Sequence, residues 1–437
     1  MDKQKNLKIA LIGNMNNNNF SIMRYFCDLG VDAHLILNYN DGKGESRHFT
    51  PSSDTWEIKK WSNNIHDSNL NEDPISIFEL PVSLLFTLKS IINKIFNKKS
   101  VIIYPISQKK INQLFINYTH IIGSGISPAI LNRINKKIDI YSPYAIGVEW
   151  FMDPVFQSKK HSINPIKRLF FHLIQNKQIL GIKNSNFVIC ADKSITYQSL
   201  CSLGTFPILS FCPMVYNRET SPIHIDNIEL DYLSEIIQKS DISILSHVRH
   251  KWVKPNNINL QDWKYQNKNN DWLIRAFKKL LDNSVITSPI LILFEYGDDL
   301  TKSKALCEEL NISKFVYWSK RKSRKEILYL LSLIDIGVGE FYDLPKMLFG
   351  GTGYEILASG TPLIQGFNYN ENEFEEIFNI PLPPLLQVKE CGDVYNHLVD
   401  LVNHKSKRIK IGIESKIWFD NNCGIGLAEK WLNLLTK

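Results

Sequence analysis

Phe349–Ile364 reads FGGTGYEILASGTPLI, and the fold is decided by how this stretch is read. Gly350, Gly351 and Gly353 flank Thr352 and precede Tyr354-Glu355-Ile356, the first turn of an expected helix. Glycines let a backbone approach a ligand with no Cβ in the way. The free N–H groups and the positive end of such a helix favour a phosphate. A carboxylate just inside it, here Glu355, can accept hydrogen bonds from a ribose diol. Gly360 then supplies a turn and TPLI a strand, so the helix returns into a sheet. The stretch thus reads as one αβ unit of a parallel sheet, with a nucleoside-diphosphate site at its helix N-terminus. A tight turn with a capping carboxylate would use the same residues.

Working outward, strands and helices keep alternating. ISILSHV (242–248), PILILFEYG (289–297), FVYWS (315–319) and IGVGEF (336–341) read as strands. DWLIRAFKKLLDN reads as an amphipathic helix with Leu273, Ile274, Phe277, Leu280 and Leu281 on one face. Further helices are expected over 302–310 and 324–333, and from Val394 onward. The N-terminal part repeats the pattern. LKIALIG is a strand, Asn14–Asn19 a polar loop, FSIMRYFCDLG a helix closed by Gly30, and VDAHLIL the next strand. This Rossmann-like opening lacks G-x-G-x-x-G, which argues against a nicotinamide or flavin site. HIIGSG, DIYSPY, FVICA and FPILSFCP (206–213) are further strands, whereas 41–79 reads as loops around short elements. The expected organisation is α/β. A Rossmann-like domain spans 1–215, a second spans 216–410, and a helical tail, 411–437, packs back on the first. Two such domains leave ligand sites at the carboxyl ends of their strands.

Length and composition agree. The chain has 437 residues, 44% apolar and 22% charged, an ordinary globular balance that excludes disordered and fibrous classes. It exceeds the roughly 250–300 residues one core supports. Seven scattered cysteines without a C-x-x-C pair argue against a disulfide framework or zinc ribbon and for a reducing cytoplasm. No signal-peptide pattern opens the chain, and no run of about 18 apolar residues suggests a bilayer span. No H-x-x-x-H pair, Cys/His ligand spacing or D-x-D motif points to a metal.

Charge is uneven. Residues 1–215 hold 24 basic and 15 acidic side chains, and the rest hold 27 and 29. The positive field implies an anionic partner for the first domain. No zinc-finger or aromatic RNA-binding motif is present, so nucleic acid is not expected. PVSLLFTLKSIINKIFNKK (81–99) sets Leu85, Leu88, Ile92, Ile95 and Phe96 on one helical stripe among Lys89, Lys94, Lys98 and Lys99. NPIKRLFFHLIQNKQILGIK (164–183) has the same character. Both suit an anionic membrane surface; 81–99 equally suits a core-facing helix with solvated lysines, and 164–183 suits that better.

The 349–364 stretch resembles the signature of retaining GT-B glycosyltransferases, family 4-like. Gly350, Glu355, Ala358, Gly360 and Pro362 match position by position. The second hallmark of that family is a basic residue after the first C-terminal strand, then a Lys, an acid and Ala-Phe. SHVRHKW and NKNNDWLIRAF supply Arg249, Lys268, Asp271, Ala276 and Phe277. The resemblance implies two Rossmann-like domains facing across a cleft. It makes Arg249, Lys268 and Glu355 the catalytic set, with Gly350, Gly351, Thr352 and Gly353 cradling the donor diphosphate. No cofactor or metal is implied beyond the nucleotide-sugar substrate.

The sequence also departs from the family. Met347 stands where a first family glutamate contacts the donor sugar, so that contact falls to Glu340 or Lys346 in the preceding loop. About a dozen residues, Lys251–Gln266, are inserted before Lys268; they include Trp252 and Trp263 and read as a surface loop or part of the acceptor side. Ser124 stands where the fourth strand often ends in His, and no general base is evident. By family layout Gly13 and Asn14 approach a ligand from the first domain, and Glu149 is a candidate acceptor contact or a solvated loop carboxylate. The implied activity is transfer from a UDP- or GDP-sugar to a glycan or lipid-linked acceptor in bacterial cell-surface polysaccharide synthesis. It would take place in the cytoplasm or peripherally at the inner membrane face. A nucleotide-sugar epimerase or phosphorylase, or a degenerate binding subunit, would carry the same fold.

Overall fold

The computed structural model describes residues 7–37, 50–68, 108–143, 175–193, 195–220, 225, 227–283, 286–342, 344 and 348–437. They form two compact units. The first comprises residues 1–53, 57–214 and 425–437, the second 54–56 and 215–424.

The first unit is built on a seven-stranded parallel sheet of order β3-β2-β1-β4-β5-β6-β7. Its strands are β1 Lys8–Ile12, β2 Asp32–Leu37, β3 Ile65–Asp67, β4 His120–Gly123, β5 Ile140–Tyr141, β6 Phe187–Cys190 and β7 Ile208–Leu209. β1 is buried along nearly its whole length, as a strand covered on both faces must be. Helix α1, Asn18–Asp28, follows it. The chain leaves α1 through Gly30, whose φ of +78° is a backbone state glycine adopts without strain.

The second unit has a six-stranded parallel sheet of order β10-β9-β8-β11-β12-β13. The strands are β8 Ile242–Ser246, β9 Pro289–Phe294, β10 Val316–Ser319, β11 Ile336–Val338, β12 Leu363–Gly366 and β13 Leu386–Val388. Helix α2, Asn270–Asn283, buries Leu273, Ile274, Phe277 and Leu280 against the sheet, while Leu281 packs partly buried at the margin of the same core. α3 is Arg324–Leu331, α4 Gly351–Ser359 and α5 Lys405–Asn422. Both sheets reverse direction of growth once, between β1 and β4 and between β8 and β11. Ligands of such sheets bind beyond the strands' carboxyl ends at that reversal.

After α5 the chain returns to the first unit as α6, Ile425–Leu435. There Trp431 is 1% exposed and its indole N–H donates to Ser210 Oγ at 3.2 Å. Residues 411–437 therefore do not form one tail: α5 belongs to the second unit and α6 to the first. The inserted Lys251–Gln266 segment is more than a surface loop. Asp299 accepts from the backbone N–H groups of Trp252 and Val253, the Trp252 indole donates to Ser303, and Trp263 is buried. No helix among the described residues is long and apolar enough to cross a membrane.

Candidate functional site

In the second unit the polar residues converge at the carboxyl edge, around the β8/β11 reversal. β8 runs into His247, Val248 and Arg249, and β11 into Gly339 and Glu340. β9 delivers Tyr296, and the turn after β10 delivers Arg324 as the first residue of α3. Gly350 caps α4.

Glu355 lies one turn into α4, is 7% exposed, and is held from two sides. The Arg324 guanidinium donates through Nε to Oε1 at 2.8 Å, and His247 Nε2 meets Oε2 at 2.7 Å. Burial by itself would raise this carboxyl. The His247 hydrogen bond and the Arg324 charge outweigh it and bring the group from 4.5 down to about 2. Arg324 Nη1 in turn donates to Asp54 Oδ1 at 2.9 Å. Burial disfavours the guanidinium charge, but Asp54 and Glu355 more than compensate and hold it protonated. Asp54 is fixed by its short segment: Thr55 Oγ1 and the Trp56 N–H both donate to Glu219 at 2.7 Å. The result is a buried chain of alternating charge, Asp54–Arg324–Glu355, closed by His247. His247 Nδ1 is buried without a partner among the described residues. Tyr296 OH donates to the His247 carbonyl at 2.7 Å, and burial beside Glu355 and Glu340 pushes its phenol up to about 12.

A second cluster adjoins the α4 N-terminus. Lys268 is 7% exposed; its Nζ lies 2.9 Å from Glu340 Oε1, donates to Tyr342 OH at 2.9 Å and sits 4.2 Å from that ring's centre. Burial pulls its ammonium below the usual 10.5 against the attraction of Glu340, and nearby Arg249 adds to the fall. Gln365 clamps the Glu340 backbone by accepting from its N–H and donating to its carbonyl. Glu340 Oε2 is buried and accepts from no group among the described residues. It faces Gly350, where an added Cβ would lie 2.9 Å away. Arg249 is exposed and forms no ion pair among the described residues. The first N–H groups of a helix have no intrahelical acceptor, so those of Gly351 and Thr352 are open to a ligand.

Of the residues singled out from the sequence, Arg249, Lys268, Glu340 and Gly350–Gly353 thus gather at one edge, with Glu355 beneath. In the first unit Gly13, Asn14 and Ser124 also meet, at the β1/β4 reversal. There the Ser124 N–H donates to the Ile12 carbonyl, and Asn19 Nδ2 donates to the Ile12 carbonyl at 3.1 Å and reaches Ser124 Oγ at 3.4 Å. Asn14 is wholly buried: it accepts from the Phe20 N–H at 3.0 Å and donates to Asn17 at 2.8 Å, so its amide braces the loop. Glu149, Lys346, Met347 and residues 81–99 lie outside the described residues, as do 164–174 of the second lysine-rich stretch. No group of three or more His, Cys, Asp or Glu among the described residues is placed to hold a metal ion. Sequence reasoning missed His247, Arg324, Asp54 and Tyr342. Arg324 lies inside the Ser323–Glu326 capping box, a legible helix start that says nothing of its partner.

No protein-family model and no curated protein matches the sequence. Solved structures do match. HepE of Anabaena in complex with UDP and glucose is 12% identical, with a TM-score of 0.56 over 98% of this chain and 99% of that chain. HepE with UDP-glucose gives 0.55. A glycosyltransferase from Rickettsia africae ESF-5 is 14% identical, with a TM-score of 0.53 over 99% of this chain and 98% of that one. S. aureus TarM in complex with fondaparinux, alpha-GlcNAc-glycerol and UDP is 14% identical at 0.50, over 99% and 100%.

Proposed function

From the GT-B fold that this chain shares with those glycosyltransferases, we propose that it moves a sugar from a UDP- or GDP-sugar to a glycan or lipid-linked acceptor. The observation that carries this reading is the second unit's carboxyl edge. An exposed, unpaired Arg249, a buried Lys268 and an open helix N-terminus stand together above a carboxylate held ionised. Arg249, Lys268 and the N–H groups of Gly351 and Thr352 receive the diphosphate. Glu355, an acceptor only when ionised, takes hydrogen bonds from the ribose hydroxyls with the lone pairs that Arg324 and His247 leave unused. Glu340 Oε2, a buried acceptor with no donor among the described residues, takes one from a hydroxyl of the sugar.

In the transfer, the bond from the anomeric carbon to the donor's β-phosphate oxygen breaks, and the phosphate leaves with the electron pair. The acceptor oxygen bonds to the same carbon and passes its proton to the departing phosphate. The transition state is oxocarbenium-like, and the cations stabilise the charge where it accumulates. With the acceptor arriving on the face the phosphate leaves, configuration is retained and no protein base is required. The two cations do work that a divalent metal does in other transferases. The basic balance of residues 1–215 supports action at an anionic membrane face in cell-surface polysaccharide synthesis.

The test is a thermal-shift screen against UDP, GDP, ADP, CMP and TDP without metal. At about 100-fold excess over Kd, the right diphosphate should add roughly 2.7 kcal/mol of stability. UDP or GDP is expected to stabilise. Arg249→Ala should weaken that ligand at least about tenfold, the scale of one charged hydrogen bond, while the unliganded melting temperature stays put. If none of the five shifts the transition, with or without magnesium, the reading fails.

A further inference from the structure

α5 is apolar on two faces. One packs into the second unit through Gly412, Ser415, Trp418 and Phe419. The other is a stripe of Ile409, Ile413 and Ile417, four residues apart, 52%, 57% and 55% exposed. Three β-branched aliphatic side chains in a row on a solvent-facing helix have no folding role to explain them. The charges around them are equally unusual. The helix carries Lys405, Lys407, Arg408, Lys410 and Lys416 against only Glu414 and Asp420, in a half of the chain where acids outnumber bases. Lys405, Lys407 and Arg408 crowd its first turn, which contains no acid, and there the helix dipole disfavours positive charge. Arg408 turns inward to Asp335 and Lys407 is tied to Asp400. On a helical projection Lys405 and Lys416 flank one side of the isoleucine stripe, and Lys410, which pairs with Glu414 at 3.7 Å across an exposed face, the other.

We propose that this face of α5 docks on an anionic lipid bilayer, with Ile409, Ile413 and Ile417 entering the acyl boundary and Lys405, Lys410 and Lys416 meeting the headgroups. An apolar stripe rimmed by lysines is the arrangement by which a helix lies in a membrane interface, and the negative charge it complements is that of the lipid surface. A protein partner would bury those lysines or pair them individually, and a second copy of this chain would set lysine against lysine. The surface is distinct from the nucleotide site and does not depend on the activity proposed above.

The experiment is flotation of the full chain with phosphatidylcholine vesicles, with and without phosphatidylglycerol. The wild type should float with the anionic vesicles, less so as salt rises. The I409S/I413S/I417S variant should partition at least tenfold less, and K405Q/K410Q, confined to exposed side chains, should weaken the preference for anionic lipid. UDP or GDP binding should be unchanged in both variants, so failure here leaves the glycosyltransferase reading intact. The proposal is overturned if the wild type ignores anionic vesicles or if both variants float like the wild type. It is equally overturned if the serine variant merely converts a dimer to a monomer with no change in flotation. Exchanging Lys89, Lys94, Lys98 and Lys99 for Gln separates this face from any contribution of the first unit: binding that vanishes in that variant and persists in the two α5 variants also overturns it.

Discussion

Arg324 is the residue on which the buried charges of the second unit turn, because it bridges Asp54 and Glu355. Arg324→Ala would leave two carboxylates buried at one spot. Breaking a buried pair in this way costs about 3–5 kcal/mol, measurable by urea denaturation. Its pH dependence has a definite sign. The Glu355 carboxyl is depressed in the folded chain, so its stabilising contribution is present above 4.5 and lost as pH falls toward about 2. In the variant only His247 opposes the rise that burial imposes, so Glu355 protonates more readily. The stability gap between wild type and variant should narrow as pH is lowered from 7 toward 4; a gap constant over that window would show that Glu355 is not held ionised by Arg324. None of this was legible from sequence. Glu355 was visible from its place after a glycine run, and Arg249 and Lys268 through the family resemblance alone. Asp54 and Arg324 lie 270 positions apart, and no periodicity or motif links them.

α4 shows how an element is fixed by what it cannot contain. A Cβ on Gly353 would fall 2.5 Å from Phe349 Cβ. Phe349 cannot withdraw, being packed by the rings of Tyr354, Phe367 and Trp418. Gly353→Ala should therefore cost about 1–3 kcal/mol, the usual penalty for overpacking, and lower the melting temperature without ligand. An unchanged melting temperature would mean the helix start can shift to make room. Elements like this were the readable part of the chain. ISILS is buried at every position, and the sequence shows it as an unbroken apolar run between polar turns. α2 declares its core face by spacing alone. The short edge strands β3 and β13 did not stand out, because three residues carry too little pattern to distinguish a strand from a loop.

At the scale of the whole molecule, composition and alternation were enough for two parallel-sheet units, since strand–helix alternation permits little else. They did not divide the tail, because an amphipathic helix does not name the surface it covers: 411–437 reads as one piece packing back on the first unit, whereas α5 belongs to the second unit and α6 to the first. α6 settles on the first unit, with Trp431 among its largest fully buried side chains. Trp431→Ala should cost about 3–5 kcal/mol. In a denaturation monitored with a probe in each unit, the first unit's transition should move to lower urea while the second's holds. Equal movement of both would mean the units unfold as one.

The ownership of α6 bears on how the protein is made. The first unit leads off the ribosome, yet its sheet is without the α6 helix until all of the second unit has been synthesised. Domains usually fold in the order they emerge, N-terminal first. Here the leading half must wait, its apolar surface open to chaperones, while the trailing half can close as soon as its own strands are out. Nascent-chain proteolysis should accordingly find the second unit protected before the first, an inversion of the order of synthesis.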